Sequence, residues 1–217
     1  MAPTWLCYLT RFPFLMKKTV YLLALLAGLS RAAQAQHRNA SLGLKAGASL
    51  TNVGGADVGS TSNIYGFHGG IFVNIGLTDL LAFQPELLYS QKGTKALTTA
   101  GDYRTERFHY ADVPLVLHVN ANGLFFEAGP QVGFLVIARD EYRNSTFTAD
   151  RSSYKTVDLG YVAGLGYQRK TGLGAGLRYN GAFTDYRQPY VFGNNSYQTR
   201  ARHSAFQLYL TYSFAGR

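Results

Sequence analysis

The chain has 217 residues, and it is rich in Gly (24) and in Tyr plus Phe (16 and 14) while only 15% is charged, against about 25% in an ordinary soluble domain. So many aromatic residues exclude a disordered chain. The single Cys excludes a disulfide scaffold and any Cys-based zinc site. Residues 16–35 have the layout of an export signal: Lys17 and Lys18, an apolar run over 20–29, and Ala33-Gln34-Ala35 as an A-x-A cleavage site. Ten apolar residues are too few for a spanning helix, which needs about 20. An uncleaved N-terminal anchor is the alternative. Met16 reads as a better start than Met1, so residues 1–15, with Cys7, are expected to be a mis-assigned start. The expected organisation is a signal peptide over 1–35 and one barrel domain over 36–217. With the leader gone, 17 basic and 12 acidic residues remain, a balance of +5 against +9 for the whole chain. The basic residues are scattered rather than gathered in a stripe, which excludes nucleic acid as a partner.

From Ser41 onward the chain alternates with period 2, the mark of strands. Leu42, Leu44, Ala46, Ala48 and Leu50 share one face, and Gly43, Lys45, Gly47 and Ser49 the other. The same alternation runs through segments around 66–77, 81–90, 113–120, 124–136, 157–168, 173–180 and 206–214. That makes eight strands and no helix. The connections alternate as well. Thr78-Asp79, Ala121-Asn122-Gly123 and Lys170-Thr171-Gly172 are hairpin turns. Segments 54–64, 95–104, 140–154 and 186–201 are long, polar loops. Eight antiparallel strands with short turns at one end and long loops at the other describe an all-β, up-and-down transmembrane barrel of the outer membrane. Both termini are then periplasmic and the long loops extracellular.

The composition of the two faces separates lipid from water. One face is almost purely Leu, Val, Ile, Ala, Phe and Tyr; the other is mainly Gly, Ser, Asn and Gln. Small polar residues suit a polar lumen better than a dry core, so the apolar face is expected on hydrocarbon. Tyr89, Tyr167, Tyr179, Tyr212 and Phe214 then form an aromatic girdle. Pro85, Pro114 and Pro130 lie inside strands, where Pro removes a ladder donor. A bulge is expected at 111–114.

Several runs resemble the PorT-like outer-membrane β-barrel family of Gram-negative bacteria: Leu42-Gly43-Leu44-Lys45-Ala46-Gly47, the stretch from Phe83-Gln84-Pro85-Glu86 to Gln91-Lys92-Gly93, Asp112-Val113-Pro114-Leu115, Glu127-Ala128-Gly129-Pro130-Gln131 and Gly176-Leu177-Arg178-Tyr179-Asn180. The resemblance covers about 41–214 and implies an eight-stranded outer-membrane barrel, most of whose relatives have no assigned activity. One namesake takes part in protein secretion, so a secretion-system partner is an alternative that the resemblance raises. The end of the chain departs from the pattern, since Ala215-Gly216-Arg217 follow the terminal aromatic Phe214 on which barrel-assembly machinery would act.

Chemistry is sparsely signalled. His203-Ser204, and His109 with Glu106, are the places where an imidazole has a hydroxyl or a carboxylate close in sequence, as a lipid A- or phospholipid-modifying barrel would need. Neither pair carries a signature beyond adjacency, so no enzyme, catalytic residue or cofactor is expected. His37, His68 and His118 stand far apart in strand order, and no metal site is expected either. Arg104, Arg107, Arg139, Arg143, Arg151, Lys155, Arg187, Arg200 and Arg202 fall in or near the long loops, where they suit the phosphates of lipopolysaccharide and other outer-membrane lipids. A pore is the remaining alternative, and a wide one is excluded by the narrowness of eight strands. The expected role is structural or surface interaction. Parity and depth place Lys45, Glu86, Glu127 and Arg178 on the inward face at one level, where they are expected to form a structural ionic cluster that plugs the lumen.

Overall fold

In a computed structural model of the chain, residues 40–98, 101–142, 145–193 and 195–214 are described. The expected leader and the last three residues lie outside them. The elements are β1 (Ala40–Gly54), β2 (Thr61–Ser62), β3 (Ile64–Gly76), β4 (Leu81–Leu97), β5 (Tyr103–Ala121), β6 (Leu124–Tyr142), β7 (Ser145–Thr148), β8 (Val157–Gln168), β9 (Leu173–Ala182), β10 (Tyr190–Phe192), β11 (Asn195–Tyr197) and β12 (Arg202–Ser213). Eight of them, β1, β3, β4, β5, β6, β8, β9 and β12, follow one another around an antiparallel ring. The ring closes where β1 pairs with β12, from Gly43 opposite Ser213 to Gly54 opposite Arg202. The short elements β2 and β7 extend the edges of β4 and β6, and β10 with β11 forms a separate hairpin.

Two of the three tight turns fall where Gly and Asn-Gly put them; the β3–β4 connection, Leu77-Thr78-Asp79-Leu80, has neither, and there Thr78 Oγ1 accepts from the Leu80 and Leu81 amides. Asn122 and Gly123 both have positive φ (50° and 93°), the geometry a two-residue hairpin of right-twisted strands requires. Gly172, at φ 91°, closes the β8–β9 turn. At the other end the strands run further than the alternation of hydropathy suggested. β4 continues to Leu97, β5 begins at Tyr103 and β6 reaches Tyr142, so half of the expected 95–104 loop is wall. Beyond the apolar belt the apolar-out, polar-in alternation lapses, and the hydropathy signal fades while the backbone ladder continues.

The prolines act differently from expectation. The pairing of β5 with β6 shifts by one residue between His109 and Tyr110, where Val136 is the extra residue, not at 111–114. Around Pro85, Pro114 and Pro130 the ladders are interrupted but resume in the same register. A missing N–H removes a bond without changing the count of residues.

The two faces part as parity requires. Leu165, Leu177, Phe206, Leu208 and Leu210 are about half exposed or more, with Leu177 at 58%. Lys45, Glu86, Lys92, Asp112, Glu127 and Arg178 are buried. One expectation about the interior needs correction. The lumen is not polar throughout: at the long-loop end Val53, Phe108, Tyr110, Leu135, Ala138, Tyr154, Tyr186 and Ala201 form an apolar cluster. Phe108 packs edge-on against Tyr154 and Tyr186, with ring centres 5.0 and 5.2 Å away. Tyr154 and Tyr186 come from the connections between barrel strands, which fold back over the mouth, and a strand-by-strand reading has no access to that.

Candidate functional site

The lumen is filled by layers of side chains. In the layer nearer the short turns, Arg178 on β9 lies between two carboxylates. Its Nε and Nη2 donate to Glu127 Oε1 and Oε2 (2.7 and 2.6 Å), and its Nη1 and Nη2 donate to Glu86 Oε2 and Oε1 (2.8 and 2.9 Å). Lys45 Nζ donates to Glu86 Oε1 at 2.6 Å. The structure thus brings together all four residues that parity placed at this level. It adds three that parity did not select. Tyr209 Oη donates to Glu127 Oε1 (2.7 Å), Gln84 Nε2 donates to Glu86 Oε1 (2.8 Å), and His118 Nε2 lies 3.2 Å from Glu127 Oε2. The Lys45 ammonium also sits 4.3 Å from the centre of the Tyr209 ring. These side chains come from β1, β4, β5, β6, β9 and β12, six of the eight barrel strands.

Glycine makes room for this layer. A Cβ on Gly164 would lie 2.8 Å from Glu127 Oε1 and 2.5 Å from the Leu177 carbonyl, and one on Gly176 would lie 2.5 Å or less from the Tyr209 ring and hydroxyl. Inward glycines that look like empty lumen in the sequence are therefore the space into which the large side chains fit. On the short-turn side of the layer, Asn74, Gln84, His118, Phe125 and Gln168 leave a cavity of about 10 Å³, room for about one water molecule.

Above this layer Ser49 pairs with His68 (2.9 Å), and Asn180 donates to Gln131 (2.8 Å). A second ionic layer follows. Lys92 Nζ lies 3.2 Å from Asp112 Oδ1 and 3.3 Å from Asp158 Oδ2. Ser90 Oγ donates to Asp112, and Thr184 Oγ1 donates to Asp158 at 2.9 Å. Parity could have found Lys92, which is inward with Ser90 and Glu86. Asp112 was obscured by the bulge expected around it. Beyond the aromatic cluster, Glu106 accepts from Arg187 Nη2 (2.6 Å) and Tyr186 Oη (2.9 Å), while Arg104 donates to Asp140. Burial, then the Glu106 carboxylate, pushes the Tyr154 phenol up to about 12, so it stays neutral. A cavity of about 440 Å³ opens at this mouth, lined in part by Arg104, Glu106, Tyr186 and Arg187.

Neither candidate dyad forms. His203 is buried in the lumen beside Phe108 and Tyr186, and its neighbour Ser204, one residue on, faces the other side of the strand. Glu106 is in the lumen, whereas His109 points outward and pairs with the Tyr89 hydroxyl. Contrary to the expectation from strand order, three metal-ligating groups do converge: Glu86, His118 and Glu127 offer atoms within 4.8 Å of one another. Their carboxylates already hold Arg178 and Lys45, and two bound cations oppose the entry of a third. Most basic residues of the rim are also neutralised within the chain: Arg107 by Glu141, Arg187 by Glu106, Arg200 by Asp57 and Arg202 by Asp185. Arg143 lies outside the described residues.

Comparison with known proteins bears on this architecture. The family described as outer membrane protein beta-barrel domain matches residues 32–213. No curated protein matches the sequence. Among solved structures, Neisserial surface protein A (NspA) superposes with a TM-score of 0.50 at 15% identity, over 82% of this chain and all of that one. Ail of Yersinia pestis gives 0.47 at 12% identity (81% and 99% covered), and OprG of Pseudomonas aeruginosa gives 0.44 at 8% (83% and 98%). Identities this low speak for the fold alone.

Proposed function

Because the chain belongs to the outer membrane protein beta-barrel domain family, and is therefore a small β-barrel of the outer membrane, we propose that it is a plugged, non-catalytic barrel. Its lumen is a structural core, and its outer end meets the cell's surroundings. The carrying observation is the network around Arg178, in which the side chains of six strands meet inside a narrow ring. A ring of eight strands leaves an interior that side chains can fill, and here they do so in successive ionic and aromatic layers. The candidate dyads lie on opposite faces of the wall, which favours the non-catalytic reading over lipid modification.

We place the short turns and both ends of the barrel in the periplasm and the long connections outside, with outer-membrane lipid and lipopolysaccharide as the surrounding partners. The finer PorT-like affiliation rests on the stretch from Phe83 to Gly93. In the structure that stretch supplies Gln84, Glu86, Ser90 and Lys92 to the two ionic layers.

Two measurements test the proposal. In planar bilayers the purified protein gives no discrete conductance steps; a steady open-channel conductance would overturn the plug. Leu165→Arg, on the outward face of β8, costs about 2–4 kcal/mol of stability in lipid vesicles if it lies at mid-bilayer. A cost below about 0.5 kcal/mol would remove this face from the lipid.

A further inference from the structure

At the long-loop end of the wall formed by β4, β5 and β6, two arginines stand directly opposite each other. Arg107 on β5 is the register partner of Arg139 on β6, and both point outward, because their neighbours Phe108 and Ala138 are in the lumen core. Like charges facing each other across a strand pair are unfavourable. Arg107 is held in place: its Nε donates to Glu141 (2.8 Å) and its Nη1 donates to the Tyr65 carbonyl (3.0 Å). It reaches that carbonyl past Gly93, the β4 residue opposite it, which has no side chain in the way. Arg139 is exposed, and its guanidinium has no hydrogen bond or ion pair among the described residues. Both charges act on the imidazole of His109, whose buried Nε2 has no hydrogen-bond partner among the described residues. Glu141 balances Arg107, so the patch keeps the one uncompensated charge of Arg139 together with unused guanidinium donors on both arginines.

Its depth narrows what can satisfy it. On all three strands the patch begins where the apolar outer face stops: after Leu87 and Tyr89 on β4, after Val113 and Ala111 on β5, and after Phe134 and Val136 on β6. Tyr89 and Phe67, ring centres 5.6 Å apart, mark the border. That is where an aromatic girdle meets lipid headgroups. Two guanidiniums side by side match the multiple acceptor oxygens of a phosphate, and a monoester, with three terminal oxygens against a diester's two, can accept from both arginines at once.

We propose that Arg107 and Arg139 form a docking site for the phosphomonoester headgroup of a membrane lipid, with Arg107 pre-positioned and Arg139 free to close on it. The inference rests on the apolar outer face being the lipid face. The test is native mass spectrometry of the detergent-solubilised protein with dilauroyl phosphatidic acid, phosphatidylglycerol and phosphatidylcholine. The wild type retains phosphatidic acid in preference to the other two. Arg139→Gln lowers phosphatidic acid binding by about tenfold, the loss of one charge-assisted pair, and leaves phosphatidylcholine unchanged. Arg139→Lys recovers part of the loss. Arg169→Gln removes the same charge at the short-turn end and keeps the preference. Retained preference in Arg139→Gln overturns the proposal, as does an equal loss in Arg169→Gln. Displacement of the lipid by equimolar inorganic phosphate overturns it in favour of a free-anion site. Loss of all three lipids from the wild type would instead strike at the lipid-facing reading. Unchanged heat-dependent mobility on gels shows that each variant still folds.

Discussion

The two ionic layers of the lumen solve one problem with different chemistry. In the layer near the short turns, one planar guanidinium donates four hydrogen bonds to two carboxylates, and Lys45 supplies the second positive charge. Two cations balance two anions. In the layer nearer the mouth a single ammonium, Lys92, stands 3.2 and 3.3 Å from two aspartates, and Ser90 and Thr184 supply the remaining donors. Here hydroxyls stand in for a second cation. An arginine fork fixes the direction of its partners, whereas an ammonium is a point charge that tolerates movement. The first layer is therefore expected to be the more rigid and the more costly to disturb.

The largest effect should come from Arg178→Met. It leaves Glu86 and Glu127 buried with Lys45 alone between them, and breaking a buried pair in this way costs about 3–5 kcal/mol. Urea unfolding in lipid vesicles measures it; a loss under about 1 kcal/mol would mean hydrated, independent charges. Lys92→Met also strands two buried carboxylates and is expected at the lower end of the same range, about 3 kcal/mol, because Asp112 and Asp158 each keep a hydroxyl donor. If Lys92→Met proved the more damaging of the two, the distinction between fork and point charge would fail. Gly164→Ser sharpens the comparison from the packing side. Its side chain would press on Glu127 and the Leu177 carbonyl, so a cost of about 1–3 kcal/mol is expected from overpacking. A neutral result in the same unfolding assay would show that the first layer has slack.

Parity carried the ionic layer a long way. Lys45, Glu86, Glu127 and Arg178 are legible because side chains in a strand alternate without exception between bulges, and three of these four positions lie before any shift of register. Lys92 obeys the same rule. The bulge at His109/Tyr110 shows where the rule stops, since one extra residue in β6 exchanges the faces beyond it. Val136 and Ile137 both follow Leu135, and only the pairing across the wall reveals which of them is extra. Glycines misled for another reason. An inward Gly reads as empty space, yet Gly164 and Gly176 are small because Arg178, Glu127 and Tyr209 are large. Volume is shared among strands that are distant in sequence.

What the chain determined by itself is the part governed by local periodicity: eight alternating strands, the Asn- and Gly-containing turns at 121–123 and 170–172, an apolar outer face and the parity of most inward charges. These follow from the two-residue repeat of a strand and the backbone freedom of turn residues, which neighbours in sequence suffice to express. Tertiary structure decided the rest. It joined β1 to β12, brought His118 and Tyr209 to Glu127, folded Tyr154 and Tyr186 over Phe108, and set Arg107 opposite Arg139. Each of these depends on register between strands or on where a connection lands, and both are settled by closure of the ring rather than by any local run of residues.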